Sequence, residues 1–373
     1  AEWFRSEGLG EIGVPFGSLG YTQVATPLGP LAAYAGTYGV TFAVCVLGAY
    51  LAYAFRMRAV RGSGVETAAA FGAVALCAAC AWTFWPAREL AAPAYRVAAV
   101  QGNIPQGFKF APGALQRAIA TYETLTRRAG AAHPEIVVWP ETVIPVALDK
   151  APDLSARFGA LARSIHAELV VGTYEDAADG EFNVLAFFNR DGKLERTYRK
   201  RLLVPFAEHV PWRPLFAWIP WIGNVSNFGE GTGDEIVAAG RLRFGPIVCW
   251  ESGFSNDAHG SVRDGAQALL VATDDAWFGT TAGPYQHAQI AQMRAIETGR
   301  WIVRAASTGI SGIIAPDGRC IERSGLDEAA VVAGPIGLPV DTVYDAVGGS
   351  AVAATFALAY LVIVLWSRTR RAA

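Results

Sequence analysis

Uninterrupted apolar runs dominate three parts of the chain. Thr37 to Phe55 ("TYGVTFAVCVLGAYLAYAF"), Thr67 to Pro86 and Gly348 to Trp366 hold no charged residue. Each is close to the roughly 20 apolar residues that cross a bilayer core, so each predicts a transmembrane helix, over 37–55, 67–86 and 348–366. Aromatic residues gather near their ends, as membrane interfaces favour. Between Gly8 and Tyr34, Gly and Pro break the apolar pattern ("GVPFGSLGYTQVATPLGPL"). That stretch predicts an interfacial or re-entrant loop, 8–34, which needs neighbouring protein to satisfy its backbone.

From Tyr95 onward the runs shorten and alternate. "YRVAAVQG", "EIVVWPE", "AELVVGT", "LRFGPIVC", "QALLVAT", "WIVRAAS" and "AVVAGPI" predict strands. Asp191-Gly192 and Asp317-Gly318 are turn signals inside two predicted hairpins. In "GALQRAIATYETLTRRAG", Leu115, Ile119, Tyr122 and Leu125 share one helical face. Further helices are predicted near Asp257 and over "YQHAQIAQMRAIETGRW". Strands alternating with helices and hairpins predict an α/β layered domain with a mixed sheet. The expected organisation is a membrane region over 1–94, a catalytic domain over 95–340, and a C-terminal transmembrane helix with a basic tail over 341–373.

Composition supports the membrane reading. The 373 residues are 52% hydrophobic and 17% charged, against about 25% charged in soluble domains. A net charge of −2 gives no reason to expect nucleic acid as a partner. Arg56, Arg58 and Arg61 follow the first apolar run, and Arg368, Arg370 and Arg371 follow the last. Basic loops stay in the cytoplasm, so the domain between about Ala91 and Ala346 is expected outside it. The five cysteines form no disulfide framework, and Cys77 and Cys80 read as small hydrophobes. "AEWFRSEGLG" is not a signal peptide, and the chain is expected to be the middle of something longer.

Three predicted strands end in a reactive residue. "EIVVWP" leads to Glu141, "KLERTYR" to Lys200 and "FGPIV" to Cys249. Sites in α/β sheets form at carboxyl strand ends, so a carboxylate, an ammonium and a thiol can meet. Together they suit covalent catalysis, with Cys249 as nucleophile, Glu141 as general base and Lys200 stabilising the thiolate and the oxyanion. Taken singly, each has an ordinary reading: a helix cap, a solvated lysine, a packed cysteine. Competing sites are poor. His133, His166, His209, His259 and His287 lack metal-ligand spacing, so no metal and no cofactor is expected. His209 beside Glu208 reads as a loop residue. No G-x-S-x-G elbow and no glycine-rich phosphate loop is present.

"VVWPET", "YRKRLLVPFAEHVP" and "VCWESGF" resemble the Glu, Lys and Cys motifs of the nitrilase superfamily, and more narrowly of its apolipoprotein N-acyltransferase family, bacterial enzymes that add the third acyl chain to lipoproteins. "VQGNIPQ" and "DDAWFGTTAGPYQHAQIAQMRAIETGR" are similar to further segments of that family. The resemblance implies a nitrilase-like α-β-β-α domain with mixed sheets plus transmembrane helices. It implies Glu141, Lys200 and Cys249 as catalytic residues, with Glu208, Trp250 and Glu251 supporting the site. Trp250 stands where Tyr is frequent, Phe110 where Trp is common, and Asp274 where Asn is frequent.

The implied reaction moves an acyl chain from a phospholipid, phosphatidylethanolamine being the expected donor, through a Cys thioester to the α-amine of a diacylglyceryl-cysteine lipoprotein. It implies a multi-pass protein of the bacterial inner membrane with its catalytic domain on the periplasmic side. Further membrane helices are implied upstream, so the chain is expected to be N-terminally truncated. The rival reading is a membrane-tethered amidase or nitrilase with water as second nucleophile, and a third is an inactive lipoprotein-binding scaffold. Trp212, Phe216, Trp218 and Trp221 lie in "PWRPLFAWIPWIGNVSNFGEG", where a mobile lid touching the lipid bilayer is expected, the alternative being a loop packed on the domain. Cys249 is expected to stay reduced, with Cys320 out of reach.

Overall fold

The computed structural model describes residues 1–61, 95–109, 111–233 and 236–372, and the isolated positions 68, 72, 75 and 79. The predicted helix 67–86 therefore lies outside the described residues apart from those positions, and so does Phe110. Helix α1 (Ala32–Arg61) bends at Gly36, whose φ of 62° and ψ of −175° are non-helical. A side chain there would meet the Tyr344 ring at 2.3 Å, so the bend requires glycine. The stretch Gly29–Arg56 is long and apolar enough to cross a membrane. At the other end of the chain, helix α8 (Gly349–Ala372) packs beside α1, with Phe42 stacked on Phe356 at 4.5 Å.

Between them lie two six-stranded sheets. The first has the order β12-β1-β2-β3-β4-β5, with β1 (Tyr95–Gln101), β2 (Ile136–Val138), β3 (Glu168–Ala177), β4 (Gly180–Phe188), β5 (Leu194–Arg199) and β12 (Ala330–Ile336). The second has the order β11-β10-β9-β8-β7-β6, with β6 (Val237–Ala239), β7 (Leu242–Val248), β8 (Ala268–Thr273), β9 (Trp301–Ala306), β10 (Gly312–Ile314) and β11 (Cys320–Arg323). Each sheet is mixed: β1-β2-β3 and β7-β8-β9 pair parallel, and the flanking strands pair antiparallel.

The central strands are apolar on both faces because both faces are covered. Val97, Ile136, Val170 and Leu185 of one sheet meet Phe244, Leu270, Val303 and Ile313 of the other in a shared core. Behind the first sheet pack α2 (Ala114–Gly130) and α3 (Pro152–Ile165), through Ile119, Tyr122, Phe158 and Leu161. Behind the second pack α5 (Ser255–Arg263) and α6 (Gly283–Thr298), through Ala258, Val262, Ala291 and Ala295. The short helix α4 (Arg213–Phe216) sits in the aromatic loop, and α7 (Val343–Val347) precedes α8. The architecture is helix, sheet, sheet, helix. Helix α3 and the β3–β4 hairpin were not delimited by the apolar pattern above.

Before α1, the chain runs as short turns over Gly10–Ile12, Leu19–Gln23 and Gly29–Leu31. The turns Leu19–Gln23 and Gly29–Leu31 rest on α6, where Tyr21, together with Ala33 and Val40 of α1, meets Ile290, Met293 and Ile296. A buried ion pair, Arg294 to Glu297 at 3.0 Å, ties the layers together. Glu297 accepts from the Thr37 N–H and hydroxyl, at 2.5 and 2.6 Å, and Arg294 donates to Ser255 Oγ at 2.6 Å. Enclosed charges persist when paired and hydrogen-bonded in this way.

Candidate active site

Glu141 lies in the turn after β2. That turn crosses β3 so closely at Gly172 that a Cβ there would sit 2.0 Å from the Pro140 carbonyl oxygen. The next residue, Thr142, has φ of 45°, an unfavourable value for a β-branched side chain. Glu141 is only 4% exposed, and its oxygens are all engaged. Oε1 accepts from Lys200 Nζ at 2.9 Å and from Asn183 Nδ2 at 2.8 Å, and Oε2 accepts from the Asp274 N–H at 3.0 Å.

Lys200 follows β5 and is 1% exposed. Its ammonium donates to Glu208 at 3.0 Å as well as to Glu141. Burial alone would lower its pKa, but Glu141 and Glu208 outweigh it and hold the ammonium charged well above the usual lysine range. Glu208 also accepts from Asn183 Nδ2 at 2.9 Å and from the Val204 N–H at 2.8 Å. Burial pushes the Glu208 carboxyl up, and Lys200 with these donors brings it below the usual carboxylate range.

Cys249 directly follows β7 with φ of 51°, so the chain leaves the strand through a strained residue into a tight turn, Cys249–Gly253. Its thiol is pushed well up by burial and by the Glu141 charge, against the opposing effect of Lys200 and a hydrogen bond with Thr273. All three groups therefore act on one another, and the thiol is neutral until a base takes its proton. Cys249 and Cys320 are both free thiols.

The turn is held from several sides. The fully buried Glu251 accepts from the Val248 and Arg201 N–H groups, each at 2.6 Å. Ser252 Oγ donates to the Cys249 carbonyl at 2.7 Å, and His287 Nε2 lies 3.2 Å from the same oxygen. His287 Nδ1 is 2.8 Å from Asp275, which also takes Arg304 at 2.8 Å. Trp250 stacks on Phe16 of the N-terminal segment at 5.4 Å, and Tyr21 donates to the Gly253 carbonyl at 3.1 Å.

Among the sequence-predicted residues, Glu141, Lys200, Cys249, Glu208 and Glu251 converge here, and Trp250 lies at the rim. In the loop 211–231, Trp212, Trp218 and Trp221 are exposed, while Phe216 is half-buried against Phe206 at 5.6 Å. Asn183, Thr273, Asp275 and His287 were not singled out. They have no local signature, since each contributes through a partner distant in the chain. A thiol, a hydrogen-bonded carboxylate and a fixed ammonium can perform covalent acyl transfer.

A profile described as carbon-nitrogen hydrolase matches residues 96–340. The chain belongs to the carbon–nitrogen hydrolase family. A second profile, the apolipoprotein N-acyltransferase N-terminal domain, matches residues 1–50. The chain is 33% identical to the apolipoprotein N-acyltransferase of Pseudomonas syringae pv. tomato over 82% of its own length and 61% of that protein. It is 33% identical to the one of Geobacter metallireducens over 87% of its length and 64% of that protein. It thus spans less than two thirds of these relatives. Among solved structures, the hydrolase domain is similar to a carbon–nitrogen hydrolase of Helicobacter pylori G27, with TM-score 0.52, 17% identity, and coverage of 65% of this chain and 89% of that one. An amidase of Nesterenkonia sp. AN1 gives TM-score 0.53 at 17% identity, covering 70% of this chain and all of that one. The layered α/β fold with two mixed sheets is the nitrilase-like one.

Proposed function

We propose that this carbon–nitrogen hydrolase domain works as an apolipoprotein N-acyltransferase, with Cys249 as nucleophile, Glu141 as base and Lys200 as stabiliser. One observation carries the reading. The segment that matches the N-acyltransferase N-terminal domain packs on the nucleophile turn itself, through Phe16 on Trp250 and Tyr21 on Gly253.

In the first step Glu141 takes the Cys249 proton and the sulfur attacks the ester carbonyl of a phospholipid acyl chain. Lys200 stabilises the oxyanion, assisted by backbone N–H groups after Cys249. The C–O bond breaks, the proton passes from Glu141 to the leaving oxygen, and a lysophospholipid departs. In the second step the α-amine of a diacylglyceryl-cysteine attacks the thioester. The C–S bond breaks, an amide forms, and the amine proton returns through Glu141 to sulfur. Glu208 orients Lys200, and Glu251 fixes the turn.

The reading places the domain outside the cytoplasm of a bacterial inner membrane, in keeping with Arg56, Arg58 and Arg61 at one end and Arg368, Arg370 and Arg371 at the other. Trp212, Phe216, Trp218 and Trp221 would then meet the bilayer as a lid. The test is intact-mass analysis of the protein incubated with phosphatidylethanolamine, followed by a diacylated lipopeptide. An acyl adduct on Cys249 that is then discharged into an N-acyl lipopeptide is the expected result. Discharge to water alone would assign an amidase-type hydrolase instead, and no adduct in the parent protein would overturn the reading.

A further inference from the structure

A second lysine reaches the residues that flank Glu141. Lys109, in the loop after β1, is almost enclosed, and its ammonium donates to Asp274 Oδ2 at 2.8 Å and to Thr142 Oγ1 at 2.7 Å. Both partners adjoin Glu141. Thr142 is its neighbour in the chain, at a strained φ. Asp274 gives its backbone N–H to Glu141 Oε2 at 3.0 Å. The two come from different sheets, Thr142 after β2 and Asp274 after β8, so Lys109 joins the sheets where Glu141 sits.

The charges make this arrangement consequential. Asp274 is 3% exposed, and its other oxygen accepts from Ser307 Oγ. Its carboxylate is therefore buried on the residue whose backbone N–H binds Glu141, in a site screened from water. An uncompensated anion there opposes formation of the Cys249 thiolate, because a second negative charge in a low-dielectric pocket raises the cost of a third. With Lys109 in place, Glu141 is presented with the Asp274 amide dipole and the carboxylate is cancelled.

We propose that Lys109 is a positioning residue of the site: it neutralises Asp274 so that this segment offers Glu141 an N–H donor and no net charge. The inference rests on the assignment of Glu141 and Cys249 above, and is independent of which acyl acceptor is used.

The test is the rate of Cys249 alkylation by iodoacetamide at fixed pH, read by peptide mass mapping because Cys45 and Cys320 are also free. Lys109→Met should slow alkylation by at least about tenfold, since it strands the Asp274 charge. Asp274→Asn should react at the parental rate or faster, since it leaves an extra ammonium. Lys109→Met/Asp274→Asn, again balanced in charge, should return to within about threefold of the parent, and Lys109→Arg should stay near it. A purely structural strut would slow both single variants alike. That outcome overturns the inference, as does a Lys109→Met rate within twofold of the parent or a double variant no faster than Lys109→Met. Failure of the acyl-transfer reading would show separately, as absence of N-acyl product from a protein whose Cys249 still alkylates normally.

Discussion

The carboxylate of Glu251 accepts the backbone N–H of Arg201 at 2.6 Å, which joins the turn bearing Cys249 to the strand end bearing Lys200. Its second oxygen takes the Val248 N–H at 2.6 Å and the Tyr198 hydroxyl at 3.0 Å. Glu251→Ala leaves these donors buried without partners. It should cost on the order of 2–4 kcal/mol of stability, read by thermal or denaturant unfolding, and slow Cys249 acylation at least a hundredfold. Glu251→Gln should not rescue it, because the amide nitrogen would face a backbone N–H that cannot accept.

Lys200 is the charged group that opposes the high pKa of Cys249, alongside the hydrogen bond with Thr273. Burial and Glu141 push the thiol up, and Lys200 pulls it down. Lys200→Met should therefore move the alkylation profile of Cys249 to higher pH, with a loss of at least about tenfold at pH 7.5 that narrows as the medium becomes alkaline. An unshifted profile would show that the ammonium does not act on the sulfur.

Gly172 permits the turn that carries Glu141. A Cβ there would lie 2.0 Å from the Pro140 carbonyl oxygen and 2.7 Å from the Glu141 Cα. Gly172→Ala should destabilise the domain by roughly 1–3 kcal/mol, as overpacking does, and lower the acylation rate further than the stability loss explains. Full acylation in a destabilised variant would show that Glu141 tolerates the shift.

The aromatic loop makes a contrasting case. Trp218 and Trp221 are 78% and 54% exposed, so removing them sacrifices little packing. Trp218→Ser/Trp221→Ser should leave the unfolding temperature within about 2 °C of the parent while reducing turnover of bilayer-embedded donor severalfold. Equal turnover in vesicles would remove the lid from the account.

Acid stability follows from Glu208. Its carboxyl is held below the usual value of 4.5, because Lys200 outweighs the effect of burial. The stability this confers is complete above the unfolded value and is lost as pH falls through the lower folded value. Glu208→Gln should therefore be less stable than the parent at neutral pH, with the difference shrinking below about pH 4.5. A difference that stays constant from pH 7 to pH 3 would contradict the assignment.

Much of this protein is legible locally. Hydrophobic period distinguishes α2 from the strands, Asp191-Gly192 and Asp317-Gly318 announce turns, and the uncharged run in α1 announces a membrane-length helix. These depend on neighbours a few residues apart, which is the range over which backbone conformation is set. The reactive types Glu141, Lys200 and Cys249 were also readable, because each follows a predicted strand, apolar before Glu141 and Cys249 and a hairpin strand before Lys200.

The sequence by itself thus determined most of the element types, the membrane-length helix of α1 and the candidate chemistry. Only the tertiary structure decided which polar groups share an enclosed site. Asn183 between Glu141 and Glu208, His287 beneath the Cys249 turn, Lys109 on Asp274 and Phe16 on Trp250 are contacts between residues far apart in the chain. The physical reason is that burial turns a modest charge or hydrogen bond into a strong constraint. Which groups become buried together is set by the face-to-face packing of two sheets and by the N-terminal segment laid against α6 and the Cys249 turn.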